Sequence, residues 1–421
     1  MLRAAGTPMT TIAGGLWPLA PRRRQRDHTA MTAPDDRRPV PSWAVAAIVA
    51  GALAAAATAA AAVLTTLVSR SVVVPPKNPS EDAKIESVDL EAGTITLRAA
   101  ADTLLPGRYS LWFDRSGGHA RIGEVISVTE GAVTRSLLEV DFGDLEQAST
   151  GRISGWYFLH PREFPFAYRN VSIPTPVGDA PAWLIPSADP DSTQWVIQVH
   201  GRAVRRAETL RASRVFHEAG YTSLLVSYRN DGDAPRSADG RFRLGETEWE
   251  DVDAALDYAV AAGATSVILM GWSMGGATVL QVAARSHLKH VIDGIVLDSP
   301  VIDWHETLRY RSTQLRIPAP VQTAALATLT HDWGNVATGL EKSVDLDRLD
   351  FVARSGELDT RILLLHSDDD GYVSSVSSRK LAELRPDIVT FVPFSIARHT
   401  KLWNYDPERW NEAIRAWLHE A

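Results

Sequence analysis

The sequence predicts an α/β fold over residues 176–421, with a mostly parallel sheet flanked by helices and a short helical cap. A transmembrane helix and a small β-rich domain precede this fold. Three observations support the prediction. From residue 176, short apolar runs alternate with longer amphipathic segments, as in βα units. Residues 83–175 hold only short runs typical of strands, and residues 43–68 form an uncharged apolar stretch.

The composition excludes several classes of protein. The chain has 421 residues, of which 45% are hydrophobic and 22% are charged, with no cysteine. These values are typical of a globular protein with two or three domains. The lack of cysteine excludes disulfides, thiolate metal sites and a cysteine nucleophile. The net charge is -8, although the first 40 residues hold seven arginines against three aspartates. An acidic body without a basic stripe argues against a nucleic-acid partner.

The apolar stretch Trp43–Val68 is long enough to be a membrane anchor, which we expect over residues 43–69. At about 1.5 Å per residue it exceeds the hydrocarbon core of roughly 30 Å. It is also longer than the apolar region of about 7–15 residues in a cleavable signal. A cleaved signal and a soluble helix remain the alternatives. The arginine excess before the stretch predicts a single-pass cell-membrane protein with a cytoplasmic N-terminus and an extracytoplasmic C-terminal body.

The segments around this stretch are expected to differ in character. Residues 1–42 are predicted to be a disordered, arginine-rich segment, and residues 70–82 a proline-containing linker. The β-rich domain follows over residues 83–175. Turn signals separate its predicted strands, which are Ile85–Leu90, Thr94–Leu97, Tyr109–Phe113, Ala120–Val128 and Ala132–Val140.

The α/β pattern over residues 176–421 predicts seven strands and four helices. The strands are Ala180–Ile185, Trp195–Val199, Thr222–Ser227, Ser266–Met270, Gly294–Leu297, Arg361–Leu365 and Val389–Val392. The helices are Ala207–Ala219, Thr247–Ala261, Gly275–Ala284 and Pro407–His419. Residues 303–350 interrupt this rhythm and contain a helical piece near Pro320–Leu329. A long insertion between two strands of one sheet is typical of a cap over a site.

The motif Gly271–Gly276 carries the strongest chemical signal, because its residues Gly-Trp-Ser-Met-Gly-Gly contain G-x-S-x-G between a strand and a helix. In that context the pattern predicts a nucleophile elbow, in which Ser273 sits on a sharp turn that requires small neighbours. The amide of Met274 would then point at the developing oxyanion.

A serine nucleophile needs a base, and the base needs an acid to orient it; in this kind of fold they follow the serine in the order acid, then histidine. We expect the acid to be Asp370, at the end of a buried strand, with Asp368, Asp369 and Asp298 as alternatives. The base is expected to be His399, in the loop before the last helix. His366 is expected to pack against the acidic loop.

Further residues are predicted around this core. The loop after Trp195–Val199 is expected to supply the second oxyanion donor, with Gly201 allowing a close approach and the amide of Arg202 or Ala203 donating. The side chain of Arg202 is predicted to pair with Asp231 or another loop acid, or alternatively with a substrate carboxylate. His200 is expected to be structural. The residues predicted to bind substrate are Trp272, Asn230 and Trp304, and Tyr310 and Trp403 are further candidates for an apolar acyl pocket.

Residues 176–421 resemble the α/β-hydrolases, near their serine aminopeptidase-like and dienelactone hydrolase-like branches. The whole chain is similar to membrane-anchored actinobacterial members. The resemblance implies a serine, an aspartate and a histidine, here Ser273, Asp370 and His399. Ser367 departs from the family, where glycine is more usual, and the three consecutive aspartates blur the choice of acid. The matching segments are His200-Gly201, Ser227–Asp231, Gly271–Gly276, Asp298–Pro300, His366–Val373 and His399-Thr400.

These observations predict a serine hydrolase that cleaves a carboxylic ester or thioester through an acyl-enzyme, on a small-molecule or lipid-like substrate. No cofactor or metal is expected; His287 and His290 share a helical spacing but have no evident third ligand. An aminopeptidase-like peptidase, an envelope acyltransferase and a non-catalytic binding protein are the alternatives. The peptidase would need a carboxylate for the substrate amine, for which Asp231, Asp303 and Glu306 are candidates.

Overall fold

The computed structural model describes residues 41–420, so nearly all of the predicted disordered segment 1–42 lies outside the described residues. Two compact units divide between Ala56 and Ala57, and a barrel, a large sheet and the candidate site all lie in the second unit.

Helix α1 runs Ser42–Val73 and is long and apolar enough to cross a membrane, by length and composition. It ends later than expected, so the first residues of the predicted linker 70–82 are helical. Tertiary contacts of this helix end explain the difference. Val73 is buried in the apolar core of the second unit, and the amide of Phe242 donates to its carbonyl at 2.8 Å.

The β-rich domain is a closed barrel with the strand order β1-β2-β5-β4-β3-β6. The sequence did not predict the last strand, whose residues Thr-Gly-Arg-Ile-Ser hold a single apolar side chain and so lack an alternating pattern. The barrel strands are β1 Ala83–Asp89, β2 Thr94–Arg98, β3 Tyr109–Phe113, β4 Gly118–Thr129, β5 Ala132–Phe142 and β6 Thr150–Ser154.

The large sheet has eight strands in the order β14-β13-β12-β11-β9-β10-β8-β7. Strand β8 is antiparallel to β7 and to β10, and every other neighbouring pair is parallel. The strands are β7 Arg169–Thr175, β8 Gly178–Ile185, β9 Gln194–Val199, β10 Thr222–Val226, β11 Ser266–Trp272, β12 Ile292–Asp298, β13 Ile362–Ser367 and β14 Val389–Phe394.

One predicted boundary therefore moves. The β-rich domain was predicted to end at residue 175, and no strand was predicted over Arg169–Thr175. This segment is strand β7, which pairs with β8 through the hairpin around Gly178. Pairing of adjacent strands through a tight turn is local, and it draws this segment into the large sheet.

Helices cover both faces of the sheet. Alternate strand residues point to opposite faces, and they build two apolar clusters there. The predicted helix Ala207–Ala219 divides into a 3₁₀ segment, Arg206–Ala212, and a short α-helix. The helices after α1 are α2 Ser213–Glu218, α3 Trp249–Ala261, α4 Met274–Arg285, α5 Trp304–Gln314, α6 Ala319–Thr330, α7 Asn335–Thr338, α8 Val376–Leu384, α9 Leu402–Tyr405 and α10 Pro407–His419.

Helices α5 to α7 lie between β12 and β13 in the chain and form the predicted cap. The predicted fold class is confirmed: a mostly parallel sheet with helices and a cap follows an apolar helix and a small β-rich domain.

Candidate active site

Ser273 stands at the turn between β11 and α4, with φ 51° and ψ -117°. A non-glycine residue at positive φ is strained, and it persists only where its surroundings hold it. The glycines on either side supply that hold. A Cβ at Gly275 would lie 2.3 Å from the carbonyl oxygen of Val199, and one at Gly271 would lie 2.4 Å from the carbonyl oxygen of Gly275. The close packing of this turn therefore requires glycine at both positions.

Three side chains from three loops meet at this turn. The Nε2 atom of His399 is 3.0 Å from the Oγ of Ser273, and its Nδ1 is 2.7 Å from the Oδ2 of Asp370. Asp370 is buried, whereas the ring of His399 is partly exposed. Two hydrogen bonds therefore join the three side chains in a row, with the imidazole in the middle. This is the geometry that a nucleophile, a base and an orienting acid require.

The three consecutive aspartates have different partners. Asp368 is half exposed and contacts Arg379 at 2.6 Å. Asp369 is also exposed and contacts Arg398 at 3.3 Å. Of the three, Asp370 is the one that contacts the imidazole of His399.

Asp370 is held firmly as a carboxylate. Its Oδ1 accepts from the amides of Tyr372 and Val373 at 2.7 and 2.8 Å. Burial by itself would raise the pKa of Asp370. The charges and hydrogen bonds of His399 and His366 lower it by more than burial raises it, so this pKa lies well below its ordinary value. The acid is therefore ionised at neutral pH and favours a proton on Nδ1 of His399.

His366 is buried and supports the acidic loop, as the sequence predicted. Its Nδ1 is 2.7 Å from the Oγ of Ser378, and its Nε2 is 3.1 Å from the carbonyl oxygen of Val373. The same Nε2 lies 3.3 Å from the Oδ2 of Asp370.

Asp298, the rival acid, lies apart from the imidazole. It is fully buried, and its carboxylate accepts from the indole Nε1 of Trp410 at 2.9 Å and from the Oγ of Ser299 at 2.8 Å. Burial raises the pKa of Asp298. The Oγ of Ser299 in turn accepts from the amide of Thr400 at 3.0 Å. This pair therefore positions the loop that carries His399.

The amides around Ser273 provide candidates for an oxyanion hole. Met274 is the first residue of α4, where backbone amides lack an intrahelical acceptor and the helix dipole favours negative charge. A Cβ at Gly201 would lie 3.3 Å from the Cβ of Ser273, so the loop after β9 passes directly beside the nucleophile. The amide of Gly201 already donates to Glu208 at 3.1 Å, which leaves the following amides, those of Arg202 and Ala203, as candidate second donors.

The side chain of Arg202 does not pair with Asp231, which corrects the sequence interpretation. Its Nη2 donates to the carbonyl oxygens of Ser71 and Val74, at 2.6 and 3.0 Å. Carbonyls at the end of a helix lack intrahelical donors, so a guanidinium is a favourable partner there. Asp231 instead lies 3.1 Å from the Nε2 of His200, which is buried and structural as expected.

The residues predicted to bind substrate are occupied elsewhere, which corrects their assignment. Trp272 is fully buried in the core on one face of the sheet. Trp304 is also buried, and its Nε1 donates to the carbonyl of Leu244 at 2.8 Å. Asn230 borders a cavity of about 970 Å³ beside the loop Ala203–Ala207. Its side chain, however, is bonded to Ser237 and to the carbonyl of Arg241, so it organises its own loop.

The further candidates also differ from expectation. Trp403 is buried in the core on one face of the sheet, and the hydroxyl of Tyr310 donates to the carbonyl of Asp370 at 2.9 Å. Tyr372, which the sequence did not suggest, stacks on the ring of His399 at 5.1 Å between centroids.

The sequence also did not reveal residues that hold the loops of the site. Glu208 accepts from the amide of Gly201, and the buried Arg211 donates to the carbonyl of Thr400 at 2.6 Å. These two residues link the oxyanion loop to the loop of His399. The sequence offered one signal for them: Glu208 and Arg211 are opposite charges three residues apart, a spacing at which two buried charges can pair.

The barrel also contacts the loop of His399. Asp102 lies 3.1 Å from the Nε of Arg398 and 3.0 Å from the Nζ of Lys401. Burial raises the pKa of Asp102, but these two cations lower it below its ordinary value. Nothing in a single sequence connects residue 102 with residues 398 and 401.

Within residues 41–420, there is no group of three histidine or acidic side chains placed to hold a metal, and His287 pairs instead with Asp257 on the surface.

Two family models match parts of the chain. Residues 195–319 match the family described as the alpha/beta hydrolase fold. Residues 84–154, which span the barrel, match a domain of unknown function (DUF8805). No curated protein sequence matches significantly.

Several solved structures are similar in fold. The esterase Pf2001 of Pyrococcus furiosus is 18% identical, with a TM-score of 0.48, over 62% of this chain and 96% of that one. A puromycin-hydrolyzing peptidase of Mycobacterium tuberculosis is 16% identical, with a TM-score of 0.47, over 78% of this chain and 46% of that one. Est1E of Butyrivibrio proteoclasticus, solved with ferulic acid, is 16% identical, with a TM-score of 0.45, over 59% of this chain and 98% of that one. Similarity at this level does not indicate the substrate.

Proposed function

We propose that the chain is a serine hydrolase that cleaves carboxylic esters through an acyl-enzyme. The match of residues 195–319 to the alpha/beta hydrolase fold family supports this proposal. Ser273 is the nucleophile, His399 the general base and acid, and Asp370 the orienting acid. The observation that carries the proposal is the hydrogen-bonded series from the Oγ of Ser273 through the two ring nitrogens of His399 to Asp370, at 3.0 and 2.7 Å.

The first half-reaction follows from these distances. The carboxylate of Asp370 accepts from Nδ1 of His399, which leaves Nε2 free to take the proton of Ser273 as its oxygen attacks the ester carbonyl. The negative charge that develops on the carbonyl oxygen is stabilised by the amide of Met274 and by that of Arg202 or Ala203. His399 then gives its proton to the leaving alcohol, and the acyl group stays on Ser273.

Water completes the cycle. His399, neutral again, takes a proton from a water molecule that attacks the acyl-enzyme, and the same amides stabilise the second tetrahedral intermediate. Proton transfer returns Ser273 to its hydroxyl form and releases the acid. The buried carboxylate of Asp370 stabilises the imidazolium in both half-reactions.

The contacts of the acidic residues favour an ester over a peptide with a free amine. A peptidase of that kind needs a carboxylate available to the substrate. Asp231 is buried against His200, and Asp303 accepts from the amides of His305 and Glu306 at the start of α5. Burial raises the pKa of Glu306, which weakens it as an anion for an ammonium group.

We also propose that α1 anchors the protein in a membrane, with the hydrolase domain on the extracytoplasmic side. The helix supports this placement, because it has the length and apolarity of a span. The arginines that precede it support the orientation.

Labelling with a fluorophosphonate probe tests the proposed nucleophile. The full-length protein, purified in detergent, should be labelled, whereas Ser273→Ala and His399→Ala should not. Matched controls are Ser80→Ala and His419→Ala, which change exposed residues of the same types and should be labelled like the wild type. Labelling that survives in Ser273→Ala, or a folded wild type that is neither labelled nor able to hydrolyse p-nitrophenyl acetate, would refute the proposal.

A further inference from the structure

The last turns of α1 are built into the hydrolase domain. The Oγ of Ser69 donates to the carbonyl of Ala325 in α6 at 3.3 Å. The guanidinium of Arg70 donates to the carbonyl of Ala337 in α7 at 3.1 Å. Both partners belong to the cap, and Arg202 of the oxyanion loop binds the carbonyls at the helix end. The end of the proposed membrane anchor is therefore fixed to the cap and to the oxyanion loop together.

A cavity of about 460 Å³ lies between this helix end and the cap helices α5 and α6. Its size is in the range of small-molecule sites. Apolar side chains from both walls line much of it, while Asp303, Glu306 and Arg309 are among its polar residues. The apolar side chains include Val68, Val72, Leu308, Ile317, Leu326 and Leu329.

One residue of the cavity lining contacts the surroundings of the candidate active site. Arg311 lines the cavity, and its guanidinium lies 4.1 Å from the ring centre of Tyr372, which stacks on His399. Asp303, on another side, is two residues from Val301, whose amide donates to the carbonyl of Ser273 at 3.0 Å. Contacts through Arg311 and Tyr372 therefore connect the cavity with His399.

The cap also presents large apolar side chains to the outside. Trp333 is 64% exposed and Val336 is 95% exposed. Val336 directly precedes Ala337, the residue whose carbonyl accepts from Arg70 at the end of α1. Exposed apolar groups of this size usually mark a contact surface, and tryptophan is enriched where protein meets the membrane interface. The cap therefore carries exposed apolar side chains next to its contact with the end of α1.

We propose that this cavity is the acyl-chain site of the enzyme and that its substrates are esters of amphiphiles drawn from the bilayer in which α1 is anchored. The proposal rests on the serine hydrolase function proposed above and specifies its substrate class. Arg311 connects the cavity with His399 through Tyr372, and Val68 and Val72 of α1 belong to its apolar lining. An amphiphile with its chain between α1 and α6 would place its ester toward Ser273.

Chain-length selectivity tests the site. The full-length protein in phosphatidylcholine nanodiscs is assayed with 4-methylumbelliferyl acetate, butyrate and octanoate. Burial of each added methylene is worth up to about a fourfold gain in kcat/KM. Leu326→Trp and Val68→Trp fill the cavity from opposite walls, and each should lower the octanoate-to-acetate ratio of kcat/KM by at least tenfold. Leu384→Trp, on an exposed position of α8, is the matched control and should keep the wild-type ratio.

The outcomes separate the two proposals. A wild type that hydrolyses acetate, with the same chain-length ratio in both cavity variants and the control, would overturn the acyl-chain site and leave the hydrolase standing. A wild type that is folded but cleaves none of the esters would overturn the hydrolase itself. Fluorophosphonate labelling of each tryptophan variant confirms that its active site is intact, and either variant alone suffices for the comparison.

A second arm tests the source of the substrate. A slowly exchanging palmitoyl ester is placed either in the same nanodiscs as the protein or in separate, protein-free discs. Delivery from the bilayer predicts immediate hydrolysis in the shared discs and a lag, set by transfer between discs, in the separate ones. Equal initial rates would overturn the bilayer source and indicate that the chain enters from water.

Discussion

Replacement of Asp370 by asparagine tests the proposed catalytic series most directly, because the structure fixes how the new amide must sit. The Oδ1 of Asp370 accepts from the amides of Tyr372 and Val373. The oxygen of an asparagine would keep both hydrogen bonds, each worth about 1 kcal/mol. Its NH₂ group would then take the place of Oδ2, 2.7 Å from the Nδ1 of His399.

A donor at that place selects the wrong tautomer. Nδ1 of His399 would have to accept, so the ring proton would move to Nε2, which lies 3.0 Å from the Oγ of Ser273. Nε2 could then no longer take the proton of the serine. Loss of the productive tautomer is worth about 10⁴ in rate, or about 5.4 kcal/mol of transition-state stabilisation.

The assay is kcat/KM for p-nitrophenyl acetate, with thermal unfolding to verify the fold. Asp368→Asn is the matched control: Asp368 is half exposed and pairs with Arg379, so its loss should change kcat/KM by less than about threefold. A folded Asp370→Asn variant that keeps more than a tenth of the wild-type activity would refute this reasoning.

Three further predictions concern stability and positioning. Gly275→Ala should cost about 3 kcal/mol or more in unfolding free energy, measured in urea, because its Cβ would lie 2.3 Å from the carbonyl oxygen of Val199; unchanged stability would contradict the close packing of the turn. Asp102→Asn should lower kcat/KM by a few-fold, about 1 kcal/mol, since Arg398 and Lys401 lose a partly exposed anion; an unchanged kcat/KM would show that the barrel does not position this loop. The pKa of Asp370 in the folded protein lies below its ordinary value. The contribution of Asp370 to stability is therefore fully present at pH values above its ordinary pKa, and it is lost as the pH falls through its pKa in the folded protein. The stability difference between wild type and Asp370→Asn should thus be constant at neutral pH and shrink below about pH 4; a difference that grows in acid would contradict the ionised, paired carboxylate.

Local patterns were sufficient for much of the fold. The elbow Gly271–Gly276 was predicted because a buried strand, small residues around Ser273 and an apolar helix follow one another within a few turns of chain. Strands β9 and β13 have continuous apolar runs and were predicted within two residues of their observed bounds, and helix α10, which has a strong amphipathic pattern, was predicted with its observed bounds.

Elements with weak local patterns were missed or misplaced. Strand β6 has one apolar residue. Strand β7 was not predicted, and its residues were placed within the β-rich domain, because strand pairing depends on neighbours that a local window does not contain. The last turn of α1 was assigned to a linker, since the carbonyls of Ser71 and Val74 find their donor in Arg202, far along the chain.

The sequence by itself determined the chemistry that the site has available: a serine on an elbow, an acidic loop after a buried strand and a histidine before the last helix. Only the tertiary structure decided which acid faces His399, which charges hold its loop and what lies beside the nucleophile. The physical reason is that these contacts join residues between 29 and 296 positions apart, beyond the reach of any local pattern. Their geometry depends on how strands, cap and anchor pack together, which neither residue type nor periodicity encodes.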